Sequence, residues 1–180
     1  MYSNYDKEFE NFKTNNSEWL EKDAIYEALC VKHNNDYWPL WQDEVDRNLY
    51  NMETEEGKSV ASQRIEQLKT NYGYEIDFYS FTQFLIAKQK EAIKHYALNN
   101  GIKMIADRQV AFSERDCWAN QSVFLKDWRL GCPPDYFSKD GQAWGFNVLD
   151  PEKLFSPDGS LGEGGVLMFN LFRKMFKENP

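Results

Sequence analysis

Residues 77–107 constrain the fold more than any other part of this 180-residue chain. Apolar residues at helical spacing predict a long helix over residues 77–99, and Asn99, Asn100 and Gly101 form a typical helix end. The apolar residues that trace one face of this helix are Phe78, Phe81, Leu85, Ala92 and Tyr96, and Phe84 and Ile93 widen that face. The run at 102–106 is almost entirely apolar, which predicts a buried parallel strand. A helix, a tight turn and a buried strand that ends at a polar residue, here Asp107, form the repeating unit of an α/β barrel.

Other segments also show helical spacing. Before residue 34 the apolar pattern predicts two helical segments with a break between them, and Ser17 is the expected N-cap of the second. A further helix is expected to open at Gly57 or Ser59 and to close at Gly73. The last predicted helix, over residues 166–177, is apolar on nearly every side and is therefore expected to be buried.

Residues 131–148, GCPPDYFSKDGQAWGFNV, combine turn-forming residues with large aromatic rings. Their prolines and glycines do not suit the interior of a regular element, so a long loop is predicted. Flat rings beside the carboxylate of Asp135 and the amide of Gln142 suit a sugar, whose C–H faces stack and whose hydroxyls need donors and acceptors. The alternative is that the rings only anchor the loop on a core. The rings are those of Tyr136, Phe137, Trp144 and Phe146.

Composition and charge exclude several classes of protein. The net charge of −8, with acids spread along the chain, argues against nucleic acid and against an anionic membrane surface as partners. Cys30, Cys117 and Cys132 form no CxxC pair, and neither histidine has a metal-ligand spacing to them, so no metal is expected. Without a secretion signal or an apolar run of roughly 20 residues, the expected location is cytoplasmic.

Two carboxylates are candidates for catalysis. Asp107 would lie at the carboxyl end of a barrel strand, where barrel enzymes place active-site groups, although a surface acid or a helix cap is an equal alternative. A retaining glycosidase needs two carboxylates about 5–5.5 Å apart, and the sequence does not show that Asp107 and Asp135 face each other. The glycines at 162, 164 and 165 lack the strand and the Lys-Ser/Thr of a phosphate loop, and no GxSxG or HExxH motif is present.

Four motifs together carry a resemblance: GIKMIAD at 101–107, WAN at 118–120, PPDYFS at 133–138 and GQxWG at 141–145. With YWP at 37–39 and FTQFLIAKQK at 81–90, they resemble the amylomaltase family, the 4-α-glucanotransferases or disproportionating enzymes. The resemblance covers most of the chain, and PPDYFS with GQxWG is its specific part. It implies a retaining (β/α)8-barrel enzyme that cuts an α-1,4-glucan and transfers the segment to another sugar's 4-hydroxyl, with no metal or organic cofactor.

The resemblance also implies roles for single residues. Asp135, Tyr136 and Phe137 match the loop that covers the acceptor-side subsites, and Gln142 and Trp144 match nearby substrate-contacting positions. A loop that keeps water from a covalent intermediate would favour transfer over hydrolysis.

The chain departs from the family pattern in three ways. Asp107 matches the family's aspartate after the third barrel strand, which supports the catalytic centre, but it is followed by Arg108-Gln109 instead of Leu/Met-Pro. Phe146-Asn147 stands where the family often has Asn-Pro or Phe-Pro. The family's nucleophile, on an Arg-x-Asp strand, and its acid/base Glu would lie beyond Pro180, so we expect this chain to be inactive alone and the remainder of the barrel to come from a longer protein.

The predicted fold is therefore α/β: part of a (β/α)8 barrel, predominantly helical, with one clear barrel strand and a long substrate loop. Residues 1–100 are expected to form a helical insertion and a barrel helix, and residues 101–180 the strand, the substrate loop and a terminal helix. The expected function is that of a 4-α-glucanotransferase acting on maltooligosaccharides or glucan. The alternatives are a non-catalytic glycan-binding protein, a helical interaction module with purely structural aromatics, and an α-amylase-type hydrolase fragment.

Overall fold

The computed structural model describes the backbone of residues 2–178 and the side chains of residues 5–176. The chain divides into two compact units, one ending at Ile102 and the other beginning at Lys103. The first unit contains four α-helices: α1 (Tyr2–His33), α2 (Glu44–Arg47), α3 (Glu55–Asn71) and α4 (Gly73–Asn99). The second contains α5 (Glu114–Ala119), β1 (Phe124–Cys132), β2 (Gln142–Leu149) and α6 (Glu163–Glu178). Short 3₁₀ helices lie at Trp38–Leu40, Gln121–Val123 and Pro151–Lys153.

Helix α1 is continuous over 32 residues, so the predicted break at Ser17 is wrong. Ser17 lies exposed in mid-helix, where no orphan N–H needs a cap. The apolar pattern carries on across it, because the rings of Phe12 and Trp19 meet edge to face at 6.5 Å. Most of the buried residues of α1 follow one helical face, and Tyr26 is buried beside them: Leu20, Ala24, Ile25, Ala28 and Leu29.

Helices α3 and α4 confirm the two helices predicted between residues 57 and 99, with earlier starts. Thr54 caps α3 by accepting a hydrogen bond from the backbone N–H of Gly57 at 3.0 Å. The centre of the apolar face predicted for α4 is not buried, because Phe78 and Tyr96 are exposed, whereas Phe84, which widens that face, is buried. The buried ring is Phe84, whose centroid lies 5.6 Å from Phe9 and 5.7 Å from Phe12 of α1.

The strand predicted over residues 102–106 is absent, and residues 102–109 have no regular secondary structure. Ile102 and Met104 are exposed, and the side chain of Ile105 is 94% exposed. A strand forms only where a neighbouring segment pairs with its backbone N–H and C=O groups. No segment among residues 2–178 pairs with this run, so its apolar composition alone does not produce a strand.

The long loop predicted over residues 131–148 is wrong in half of its length, because 131–132 and 142–148 belong to the paired strands of an antiparallel hairpin. Gly131 of β1 pairs with Ala143 of β2, and Cys132 pairs with Gln142, which leaves only residues 133–141 as a loop. Glycine allows this close approach, since a Cβ at position 131 would lie 2.4 Å from the carbonyl oxygen of Gln142. The glycine that indicated a loop thus serves strand pairing.

The core of the second unit surrounds Trp118 of α5, which is fully buried. Ser113 starts α5 with a capping box: its side chain accepts from the N–H of Asp116, whose carboxylate accepts from the Ser113 N–H. The rings of Phe112 and Phe124 meet edge to face at 5.0 Å beside it.

Helix α6 confirms the predicted terminal helix, but it is not buried on all sides, since Phe169 and Phe176 are exposed. Its buried face begins with Gly164 and Gly165. A Cβ at Gly165 would lie 2.2 Å from the carbonyl oxygen of Leu154, so the glycines permit close helix packing. None of the described helices is both long and apolar enough to span a membrane.

Candidate functional site

The tip of the hairpin, residues 133–141, is held by its own polar groups. Oδ1 of Asp135 accepts hydrogen bonds from the backbone N–H groups of Phe137 at 2.8 Å and Ser138 at 2.7 Å. The N–H of Asp135 donates to the carbonyl oxygen of Ser138 at 2.9 Å, and the Ser138 hydroxyl donates to the carbonyl of Gly141 at 2.6 Å. Gly141 closes the loop with φ of 73°, a conformation that favours glycine. The carboxylate of Asp135 therefore fixes the shape of the loop.

This shape presents two aromatic rings to solvent. Tyr136 is 93% exposed and Phe137 is 90% exposed, so neither ring anchors the loop on the core. Their centroids lie 5.3 Å apart with an interplanar angle of 88°, which turns one flat face away from the other. Two exposed rings on a closed loop form a surface that suits an apolar or sugar-like ligand face.

A second pair of aromatic residues, Trp144 and Phe146, lies on β2. Trp144 is 46% exposed, and its indole Nε1–H donates to Oε1 of Gln142 at 3.0 Å, so the side chain of Gln142 orients the ring. Arg129 pairs with Asn147 and Gly131 pairs with Ala143, so the three β2 residues 144–146 stand opposite Leu130 alone. Bulges of this kind redirect side chains and recur beside active sites.

Asp107 is not part of the hairpin. It is exposed within residues 102–109, and no hydrogen bond or ion pair of the described residues joins it to Asp135. Five of the six predicted site residues therefore lie in the hairpin, and Asp107 lies in the irregular segment before α5. The neighbouring Arg108 is anchored, because its guanidinium lies 5.4 Å from the ring centroids of both Phe112 and Phe172. The departure from the family pattern at position 108 therefore has a packing role.

The second departure, at Asn147, is also explained by packing. Its side chain hydrogen-bonds the buried thiol of Cys117. Burial raises the pKa of Cys117 to about 12, and the hydrogen bond with Asn147 only partly opposes this rise. A thiol in this state is a poor nucleophile. No cluster of three or more His, Cys, Asp or Glu side chains in the described part of the chain is arranged to hold a metal ion.

A buried charge cluster in the first unit gave no signal in the sequence. Asp46 of α2 has no exposed surface and contacts three basic side chains from two other helices. Nε of Arg64 donates to Oδ1 of Asp46 at 2.8 Å, Nε2 of His33 lies 2.8 Å from Oδ2, and the ammonium of Lys32 also contacts Oδ2. Arg64 and Lys32 additionally contact Oδ2 of Asp43, at 2.8 and 3.2 Å.

Burial raises the pKa of Asp46, but hydrogen bonds from Arg64, Lys32 and His33 outweigh burial and hold that pKa below its ordinary value. The His33 ring also stacks on the buried ring of Trp41, with centroids 4.9 Å apart. The carboxylate of Asp46 is closed to solvent and its contacts join α1, α2 and α3, so the role of the cluster is structural. The residues that contact one another between helices are 11 to 21 positions apart in the sequence, too far for a local motif.

Known proteins are similar to this chain over most of its length, including the hairpin. A family model described as 4-alpha-glucanotransferase matches residues 2–158. The 4-alpha-glucanotransferase of Streptococcus pneumoniae is 29% identical over 82% of this chain and 29% of its own length. The enzyme of Aquifex aeolicus is 32% identical over 80% of this chain and 29% of its own length. The enzyme of a Synechocystis species is 34% identical over 83% of this chain and 29% of its own length. The chain thus spans about 29% of the length of these relatives.

A solved structure is also similar: the amylomaltase from Streptococcus agalactiae in complex with acarbose, with a TM-score of 0.65 and 21% identity. The match covers 78% of this chain and 28% of that chain. At this level of identity the similarity shows a shared fold over the matched region.

Proposed function

Because this chain belongs to the 4-alpha-glucanotransferase family, we propose that it acts in the transfer of α-1,4-glucan segments to a sugar acceptor with retention of configuration. The observation that carries the proposal is the pair of exposed rings, Tyr136 and Phe137, on a closed loop inside the family-matched segment. The substrate class is a maltooligosaccharide or a longer glucan. The amylomaltase with the similar fold is in complex with acarbose, which supports this choice.

The hairpin supplies the contacts that a glucan needs. Tyr136, Phe137 and Trp144 offer flat faces to the C–H faces of sugar rings. Gln142 uses its carbonyl oxygen to hold Trp144, which leaves its amide N–H groups to donate to sugar hydroxyls. Asp135 uses Oδ1 to hold the loop, which leaves Oδ2 to accept a hydroxyl. In this arrangement each polar side chain both positions a ring and contacts the sugar.

Asp107 is proposed as a supporting group of the catalytic centre. The exposed apolar side chains at 102, 104 and 105 support a strand in which residues 102–106 pair with a neighbouring parallel strand of a (β/α)8 barrel. Asp107 would then stand at the carboxyl end of that strand, where barrel enzymes place reacting groups. A retaining mechanism also requires a nucleophile and an acid/base, and we assign neither to a residue of this chain.

The loop has a further role in this proposal. Transfer requires that a sugar acceptor, not water, attacks the covalent intermediate, and a loop that covers the acceptor side excludes water. We also propose a cytoplasmic location, because Cys30, Cys117 and Cys132 are far apart in the sequence and form no CxxC pair.

Binding is tested by calorimetric titration of the 180-residue chain with maltoheptaose. Removing one stacking face in Trp144→Ala is expected to weaken binding about tenfold, a loss of about 1.4 kcal/mol. The matched control is Phe155→Ala, which removes an exposed ring of the same unit outside the hairpin and is expected to bind like the wild type. Equal affinities for wild type and Trp144→Ala would refute the proposed site.

Turnover is tested by incubating the full-length product of the gene with maltotriose and identifying the sugars that form. Glucose together with products longer than maltotriose would establish transfer, whereas glucose and maltose alone would identify a hydrolase. Binding without any product would identify a non-catalytic glycan-binding protein. Absence of both binding and turnover would leave the loop aromatics with a structural role only.

A further inference from the structure

Resting on the proposed function, we propose that Trp128, with Lys126 and Asp127, forms an additional sugar-binding position on β1, outside the hairpin tip. Its ligand would be a glucose unit of a longer α-1,4-glucan whose other units contact the loop at 133–141. Trp128 is 67% exposed, which is unusual for the largest side chain on a paired strand.

The backbone around Trp128 is redirected by an irregularity of the hairpin. Phe124 pairs with Leu149 and Arg129 pairs with Asn147, so the four β1 residues 125–128 stand opposite Val148 alone. Extra residues on one strand leave the ladder and turn their side chains away from its regular alternation. Trp128 is the last of these four residues.

This irregular segment is fixed in place. Nη1 of Arg129 donates to the carbonyl oxygen of Lys126 at 3.0 Å and to that of Trp128 at 2.8 Å. One guanidinium therefore closes the irregular segment on itself and holds the backbone that carries the indole. A ring on a fixed backbone loses less conformational freedom when a ligand stacks on it.

The residues that precede Trp128 have the chemistry that a sugar requires. Lys126 and Asp127 are both exposed, and they supply ammonium donors and carboxylate acceptors in the same irregular segment as the ring. An apolar protein partner would instead favour a continuous apolar patch without adjacent charges. An exposed ring in one segment with an exposed donor and an exposed acceptor therefore favours a carbohydrate.

The distance of Trp128 from the loop predicts that short and long glucans use it differently. Trp128 is four residues from Cys132, where the loop begins, which corresponds to roughly 13 Å at about 3.3 Å per strand residue. A disaccharide is too short to contact both places, whereas a heptasaccharide can extend from one to the other. The contribution of Trp128 should therefore depend on the length of the glucan.

The test is calorimetric titration of the 180-residue chain and its variants with maltoheptaose and with maltose. Trp128→Ala and Trp128→Leu are expected to weaken maltoheptaose binding about three- to tenfold and to leave maltose binding unchanged. Trp128→Phe keeps a flat ring and is expected to retain most of the affinity. Phe155→Ala serves again as the control for loss of an exposed ring, and circular dichroism checks that each variant is folded.

The outcomes separate this inference from the proposed function. If Trp144→Ala weakens maltoheptaose binding and Trp128→Ala does not, the additional position is refuted while the loop site stands. If Trp128→Leu binds as tightly as Trp128→Phe, the side chain contributes only bulk and the stacking proposal is refuted. If the wild type binds neither sugar, the proposed glucan function itself fails.

Discussion

Replacing Asp46 by Asn is expected to destabilise the helical unit by about 3 kcal/mol. Asn keeps the shape of the side chain but removes the charge that faces Lys32, His33 and Arg64. Removing one partner of a buried ion pair costs about 3–5 kcal/mol, because the remaining charge is left buried. The lower end applies here, since Arg64 and Lys32 keep their contacts with the half-buried carboxylate of Asp43.

The measurement is urea unfolding followed by far-ultraviolet circular dichroism at neutral pH. With a slope of about 1–3 kcal/mol per molar urea, a loss of about 3 kcal/mol lowers the unfolding midpoint by roughly 1–3 M. Glu44→Gln makes the same chemical change two residues away, at a side chain that is 84% exposed and pairs with Arg47 at 3.4 Å. This control is expected to change stability by less than about 0.5 kcal/mol. Equal midpoints for Asp46→Asn and Glu44→Gln would refute the energetic role of the cluster.

The same residue predicts how stability changes with pH. The pKa of Asp46 is lower in the folded chain than its ordinary value of 3.8, so the unfolded chain binds the proton more tightly. The stabilisation is present above the unfolded pKa and is lost as the pH falls through the folded pKa. Acid unfolding of the wild type should therefore be steeper below about pH 4 than that of Asp46→Asn. Parallel acid transitions would contradict this assignment.

Three further predictions concern the second unit. Gly131→Ala places a Cβ 2.4 Å from a backbone oxygen and is expected to lower the free energy of unfolding by about 1–3 kcal/mol in the same urea titration. The control is Gly73→Ala in the first unit, where a Cβ would meet nothing within 4 Å and stability should be unchanged or increased. Ser113→Ala removes the α5 cap and is expected to cost about 1 kcal/mol in the free energy of unfolding. At pH 8 iodoacetamide should modify the half-buried Cys132 well before the buried Cys117. Mass spectrometry of peptides measures the two rates, and equal rates would contradict burial of Cys117.

Helices were predictable from the sequence where their signals are local. The spacing of apolar residues indicates α3, α4 and α6, and their ends lie within a few residues of the predicted ones. The buried face of α4 was not predictable, because it is chosen by the ring of Phe84, which fits between Phe9 and Phe12 of a helix some 70 residues earlier. Local periodicity indicates that a helix is amphipathic but does not identify its partner.

Strands depend on partners that a local pattern does not reveal. The run at 102–106 has strand composition and lacks a paired segment among the described residues, whereas residues 124–132 and 142–149 have loop-like composition and pair with each other. Gly131 and Gly145 illustrate the second case: one permits close backbone approach, and the other lies in a bulge with φ of 77°. Both are glycines that this pair of strands needs, although glycine in a local pattern predicts a loop.

The roles of Asp135 and Gln142 follow from the same distinction between local and tertiary partners. From residue type alone, Asp135 and Gln142 can donate to or accept from sugar hydroxyls. Residue type does not explain why each of them lies beside an aromatic residue. In the structure one oxygen of Asp135 holds the backbone of Phe137, and the oxygen of Gln142 holds the indole of Trp144. Each polar group therefore orders a ring before any ligand arrives, which reduces the conformational entropy lost on binding. Substituting either polar residue should consequently weaken glucan binding even where the sugar touches only the ring.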